Sequence, residues 1–241
     1  MKAPLREHYQ LRETIVTISA YEQEHIDAAK RSIIEQRNLL EMFISRDPFF
    51  MLTLEPYELE ADESVPDIVR QMADCSSVFG IGPMAAVAGV IAKKAVEAMI
   101  DSGASYAIVD NGGDMSILND RPVLVGIYAG SSSIRDLAFE LEPRTKPLGI
   151  ATSSGTVGPS ISFGFADAAV VVSKDPALAD AAATALGNAV QPDDKLEDCF
   201  KAIDMPGVDG AVIIRGDQMA VWGNVPRMCR ARVGAERITR A

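Results

Sequence analysis

Tyr106-Ala-Ile-Val-Asp-Asn-Gly-Gly-Asp114 and Gly149-Ile-Ala-Thr-Ser-Ser-Gly155 each run from a short apolar strand into a loop of glycines and small oxygen-bearing side chains. Glycine has no Cβ, so loops of this kind bring bare backbone N–H groups close to a ligand. Further on, Asp180-Ala-Ala-Ala-Thr184 sets a carboxylate and a hydroxyl four residues apart, on one face of a predicted helix. Polar loops at strand ends together with hard oxygen ligands point to a phosphate-bearing small molecule held with a divalent cation.

Outward from these stretches, the chain alternates strands and helices. Residues 9–19 alternate and end β-branched, which predicts one strand. Ile26, Ala29, Ile33, Leu40 and Phe43 recur at helical spacing, predicting an amphipathic helix over 24–45 that Asp47-Pro48 ends. Residues 49–65 read as an irregular acidic connection, and 67–73 as a short helix. Pro83 suits the first turn of a long helix reaching Met99, with a narrow Ala/Gly/Val face that lets another element approach closely. A strand at 105–110 leads into the Asn111–Asp114 loop, and 115–128 reads as a hairpin turning at Asn119–Pro122. Strands are predicted at 136–142, 147–152 and 168–173. Asp175-Pro176 caps an Ala-rich helix to about Asn188, and 211–222 form a hairpin around Gly216-Asp217. Mixed strands and helices with several hairpins predict an α+β fold, a mixed sheet with packed helices, as one domain over 1–241 with only a weak boundary near 65.

Composition narrows the partners. The chain has 241 residues, 48% of them hydrophobic, enough to bury a sizeable core. A net charge of −11 repels phosphate backbones, which argues against nucleic acid and anionic membranes. An acidic protein that binds a phosphorylated ligand needs a metal or helix N-termini to offset like charges. Cys75, Cys199 and Cys229 lie far apart, which argues for a reducing compartment and against a disulfide framework. No apolar h-region opens the chain, and Met84 to Ile100 is too short and too charged to span a bilayer. The expectation is a cytoplasmic protein with a small-molecule partner. A homo-oligomer is left open, as is the copy number.

Each motif also has a plainer reading. Gly80-Ile-Gly82-Pro-Met-Ala85 mimics a dinucleotide fingerprint, but 67–76 reads as helix rather than the buried strand that fingerprint needs. Asn111-Gly112-Gly113-Asp114 has the residues of a tight turn, and Thr152-Ser153-Ser154-Gly155 those of a solvated one. Asp180 near a helix N-terminus is favoured by the dipole, and Thr184 can bond back to its own helix; on spacing alone this is the simpler account. With only His8 and His25 present, histidine triads and multi-histidine metal sites are disfavoured.

The ordered series Asp110-Asn-Gly-Gly-Asp114, Ile150-Ala-Thr-Ser-Ser-Gly155 and Ala179-Asp-Ala-Ala-Ala-Thr-Ala-Leu186 resembles the ApbE-like superfamily, whose best-known members are magnesium-dependent FAD:protein FMN transferases. Gly82-Pro-Met-Ala-Ala-Val-Ala-Gly89, Thr152-Ser-Ser-Gly-Thr-Val-Gly158 and Arg37-Asn-Leu-Leu-Glu-Met-Phe-Ile-Ser-Arg-Asp-Pro48 look like a UPF-type branch of it, over nearly the whole chain. The resemblance implies Mg²⁺ ligation by Asp180 and Thr184. It also implies that Asn111, Gly112, Gly113 and Asp114 lie near a flavin nucleotide such as FAD, and that Thr152, Ser153, Ser154 and Gly155 form a second ligand-facing loop. The transferases carry a His-containing segment ending in Asp-Pro-x-Thr-Gly, where this chain has only Thr156-Val-Gly-Pro-Ser-Ile-Ser-Phe-Gly164. The resemblance therefore carries the magnesium and nucleotide framework further than it carries the transfer chemistry. Transferase or hydrolase action stands beside a non-catalytic carrier.

Overall fold

The computed structural model describes residues 2–60, 64–155, 163–232 and Thr239. Eleven strands and six helices are placed among them. Eight strands form one sheet in the order β1 (Leu5–Leu11), β2 (Thr14–Ala20), β3 (Ala107–Asn111), β4 (Asp114–Leu118), β7 (Leu148–Ser153), β8 (Ala168–Ser173), β9 (Val208–Arg215), β10 (Gln218–Gly223). A smaller sheet runs β11 (Arg227–Arg230), β6 (Leu137–Leu141), β5 (Val123–Ile127). Every neighbouring pair is antiparallel. The α+β expectation holds.

The period-two alternation of the strands builds three layers. Val109 and Leu118 face α1 (Gln23–Arg46), α3 (Asp67–Ser77) and α4 (Val87–Asp101), while Ala151, Val171 and Ala211 face α5 (Pro176–Ala189). On the other side Ile108, Ile117, Ile150, Val170 and Val212 pack against Val125, Phe139 and Leu141 of the small sheet. No helix among the described residues is long and apolar enough to cross a membrane.

Four predicted elements change. Residues 9–19 are the end of one strand and most of another: β1 and β2 form a hairpin turning at Arg12, whose φ of 55° has no glycine to announce it. Residues 115–128 are not a hairpin, because β4 pairs with β3 and β7 whereas β5 pairs with β6. Fully buried Asn119 marks the crossing between sheets, its amide donating to the carbonyls of Arg121 and Glu142 at 2.8 and 3.0 Å. The connection after Pro48 contains a short helix, α2 (Phe49–Leu52), and a three-ten turn at Pro83–Ala86 precedes α4. A second short helix, α6 (Leu196–Cys199), and β11 carried no sequence signal strong enough to predict. Asp67–Ser77 is helical, so the dinucleotide fingerprint lacks its strand.

Candidate functional site

Asn111 and Asp114 pair across a two-residue turn, with Gly112 and Gly113 at φ 71° and 111°. A type I′ hairpin needs positive φ at both central positions, so backbone geometry alone accounts for both glycines. The turn is then tied down. Gly113 N donates to Asp110 Oδ1 at 2.9 Å, and buried Asn111 donates to the carbonyl of Ala88, at the start of α4, at 3.1 Å. A Cβ on Gly113 would lie 3.8 Å from the Thr152 carbonyl, and Thr152 N donates to Asp114 Oδ1 at 3.3 Å. The two loops quoted at the outset therefore meet, brought together by the pairing of β4 with β7.

Helix α5 starts where Asp175 accepts from Ala177 N at 2.9 Å and Pro176 supplies the fixed φ of a first turn. It lies tightly over β7: a Cβ on Gly149 would sit 2.5 Å from Pro176 Cα. Helix α4 approaches as closely, since a Cβ on Gly89 would be 2.4 Å from the Pro176 carbonyl and 2.6 Å from Asp180 Cβ. At this contact Asp180 Oδ2 accepts from Gly89 N at 2.7 Å, and the Ala88 N–H adds a second bond. Ala86 at the N-cap of α4 provides no side-chain cap. Asp180 thus caps a helix ninety-one residues away in sequence rather than serving the dipole of its own.

Asp180 is buried, and burial pushes its carboxyl up to about 7 against the two N–H bonds that favour the charge. Asp114 is half-buried. Its carboxyl is held well above the ordinary range by desolvation first and by the charge of Asp180 second. Among the described residues neither carboxylate pairs with a lysine or arginine; Lys93 is engaged by Asp175 at 3.0 Å instead. Two neighbouring desolvated carboxyls with N–H donors but, among the described residues, no basic partner hold either protons or a cation.

Thr184 sits one turn beyond Asp180, half-buried on the same face. No group of three or more His, Cys, Asp or Glu forms a metal cluster among the described residues. The donors here are two carboxylates plus hydroxyl oxygen, which suits Mg²⁺, an ion that keeps waters and phosphate oxygens in its shell. It does not suit Zn²⁺, which favours nitrogen and sulfur.

The second loop divides. Ser153 ends β7 opposite Ala169, and Ser154 is buried. Gly155 N donates to the Ala166 carbonyl at 2.9 Å, and a Cβ there would fall 2.0 Å from the Gly164 carbonyl. The small residue at 155 serves a backbone contact with 164–166. Residues 156–162, most of the segment that replaces the His-bearing one, lie outside the described residues. Sequence reasoning missed Gly89 and Asp110. The narrow small-residue face of α4 was a signal for Gly89, whereas Asp110 looked like an ordinary residue at the end of a strand.

Comparisons with known proteins agree with this architecture. The family model described as AbpE bacteria matches residues 2–202. A UPF0280 protein of Methanothrix thermoacetophila is 59% identical over 98% of this chain and 99% of its own length. One from Methanosarcina barkeri is 55% identical over 99% and 94%. Among solved structures, the apo flavinyl transferase ApbE of Pseudomonas stutzeri aligns with a TM-score of 0.57 at 14% identity, covering 90% of this chain and 94% of that one. The flavin transferase ApbE of Vibrio cholerae aligns at 0.50 and 11%, covering 91% and 96%. At such identities the likeness is one of fold, while the family match and the relatives carry the assignment. The chain belongs to the UPF0280 family, a branch of the ApbE-like superfamily.

Proposed function

We propose that this protein binds a flavin-derived, phosphorylated nucleotide together with Mg²⁺ at the site where the charges of Asp114 and Asp180 act on each other. The observation that carries the reading is the pair of desolvated carboxyls, Asp114 and Asp180, that have backbone N–H donors and, among the described residues, no basic partner, set beside two loops of glycines and hydroxyl side chains. In the proposal Asp180 and Thr184 ligate the cation, with Asp114 facing them. Asn111, Gly112, Gly113 and Asp114 line one side of the phosphates, and Thr152, Ser153, Ser154 and Gly155 the other. A bound cation would neutralise phosphate charge, as phosphoryl or nucleotidyl transfer or hydrolysis requires.

A carrier reading has its own support. Among the described residues neither histidine bonds Asp114 or Asp180 to take a proton there: His8 lies 3.5 Å from the Thr17 hydroxyl, on the Asp110 side of the turn, and His25 lies on α1. Calorimetry with FAD, with and without Mg²⁺, tests the shared core of both readings, using wild type and Asp180→Ala. Mg²⁺-dependent binding lost in the variant supports it. Identical affinities in all four titrations refute it. Mass spectrometry of the FAD recovered afterwards separates turnover from carriage.

A further inference from the structure

The turn Asn111–Asp114 is gripped from both faces of the sheet. On the helix side Asn111 reaches the Ala88 carbonyl. On the other side the grip is Asp110, whose two carboxylate oxygens have different partners: Oδ1 accepts from Gly113 N at 2.9 Å, and Oδ2 accepts from the Thr239 hydroxyl at 2.6 Å. Thr239 is itself buried and lies 2.8 Å from the Thr17 hydroxyl, and Thr17 pairs with Asp110 across β2 and β3. His8 Nδ1 lies 3.5 Å from the same Thr17 hydroxyl, in register on β1. A row of polar groups thus crosses three strands and ends at the glycine turn, with one member from a remote part of the chain.

We infer that Thr239 is a positioning residue for the ligand-facing turn: its hydroxyl fixes the Asp110 carboxylate, which in turn holds the Gly113 N–H and with it the shape of the turn. Among the described residues Asp114 repels Asp110, and Arg6 and His8 attract it. With the Thr239 donor removed, a desolvated carboxylate turns toward them to satisfy its free oxygen and leaves Gly113. Gly113 stands against the Thr152 carbonyl, so the displacement reaches the junction of the two loops. The inference rests on the proposed ligand reading for its functional consequence, and on the hydrogen bonds alone for its structural one.

The test uses the full chain with Thr239→Val, which keeps the shape and removes the hydroxyl, and Thr239→Ser, which restores it. Amide exchange is followed at Gly113, with Val171 in the interior strand β8 as an internal reference, and FAD affinity is measured in the presence of Mg²⁺. Thr239→Val is expected to speed exchange at Gly113 about tenfold, the weight of one hydrogen bond to a charged group, and to weaken FAD binding by a similar factor. Val171 stays unchanged, and Thr239→Ser returns both readouts to wild type. Unchanged exchange at Gly113, or acceleration of Gly113 and Val171 alike, overturns the inference, as does a loosened Gly113 with unaltered FAD affinity. Failure of wild type to bind FAD with Mg²⁺ would instead overturn the ligand reading, and exchange at Gly113 would still decide the role of Thr239.

Discussion

Replacing Asp180 with asparagine should stabilise the metal-free protein while abolishing its Mg²⁺-dependent binding. Asparagine resembles the protonated acid, and its carbonyl still accepts from Gly89 N, so the cap on α4 survives. What disappears is the cost of ionising a buried carboxyl whose value is raised from 3.8 to about 7. Between those values the folded chain binds more protons than the unfolded one, so wild-type stability falls as pH rises through that window and is level above it. The cost comes to about 4 kcal/mol at pH 8 and about 2 kcal/mol at pH 5. For a chain of this length the variant should therefore melt about 10 °C above wild type at pH 8, and about half that margin at pH 5. Thermal unfolding of both proteins in chelator-treated buffer at the two pH values is the assay. A variant less stable than wild type at pH 8, or a margin that does not depend on pH, refutes the reasoning.

Three further outcomes are expected. Protons and Mg²⁺ compete for Asp180, so the apparent Mg²⁺ affinity should fall by up to about tenfold per unit as pH drops from 7 to 5; a flat profile in calorimetry would place the ion elsewhere. Gly89→Ala drives a Cβ into the Pro176 carbonyl and Asp180 Cβ, and overpacking should outweigh the better helix propensity by about 2 kcal/mol, read as a lowered urea midpoint with unchanged slope. FAD, Mg²⁺ and an acceptor protein incubated with this chain should leave the acceptor without an added FMN mass, because the His-bearing segment of the transferases is missing between Gly155 and Ala168; intact-mass analysis showing FMN at enzymatic rates would restore the transferase assignment.

Features set by neighbouring residues were legible. Asp175-Pro176 announced the start of α5, Asp47 the end of α1, and Gly216, at φ 63°, the β9–β10 turn. Each depends on the conformational limits of a few adjacent residues, which sequence displays directly. Where that local code was absent the reading failed: Arg12 turns a hairpin without glycine, and Asn119 takes the chain out of one sheet into another although its surroundings read as a turn. The large sheet's order also escaped, because β4 beside β7 reflects which apolar faces bury together and not any signal within either strand.

The site divides along the same line. The chain alone determined that Asn111–Asp114 is a tight turn after a buried strand, and that Asp180 and Thr184 share a helix face, since turn chemistry and helical period are local properties. Only the tertiary structure decided that Asp180 caps α4 at Gly89, that its charge bears on Asp114, and that Asp110 joins Gly113 to Thr239. Those partners are tens to more than a hundred residues apart. Their meeting is fixed by sheet register and close helix packing, and the energy of a buried carboxyl depends on those neighbours rather than on its place in the sequence.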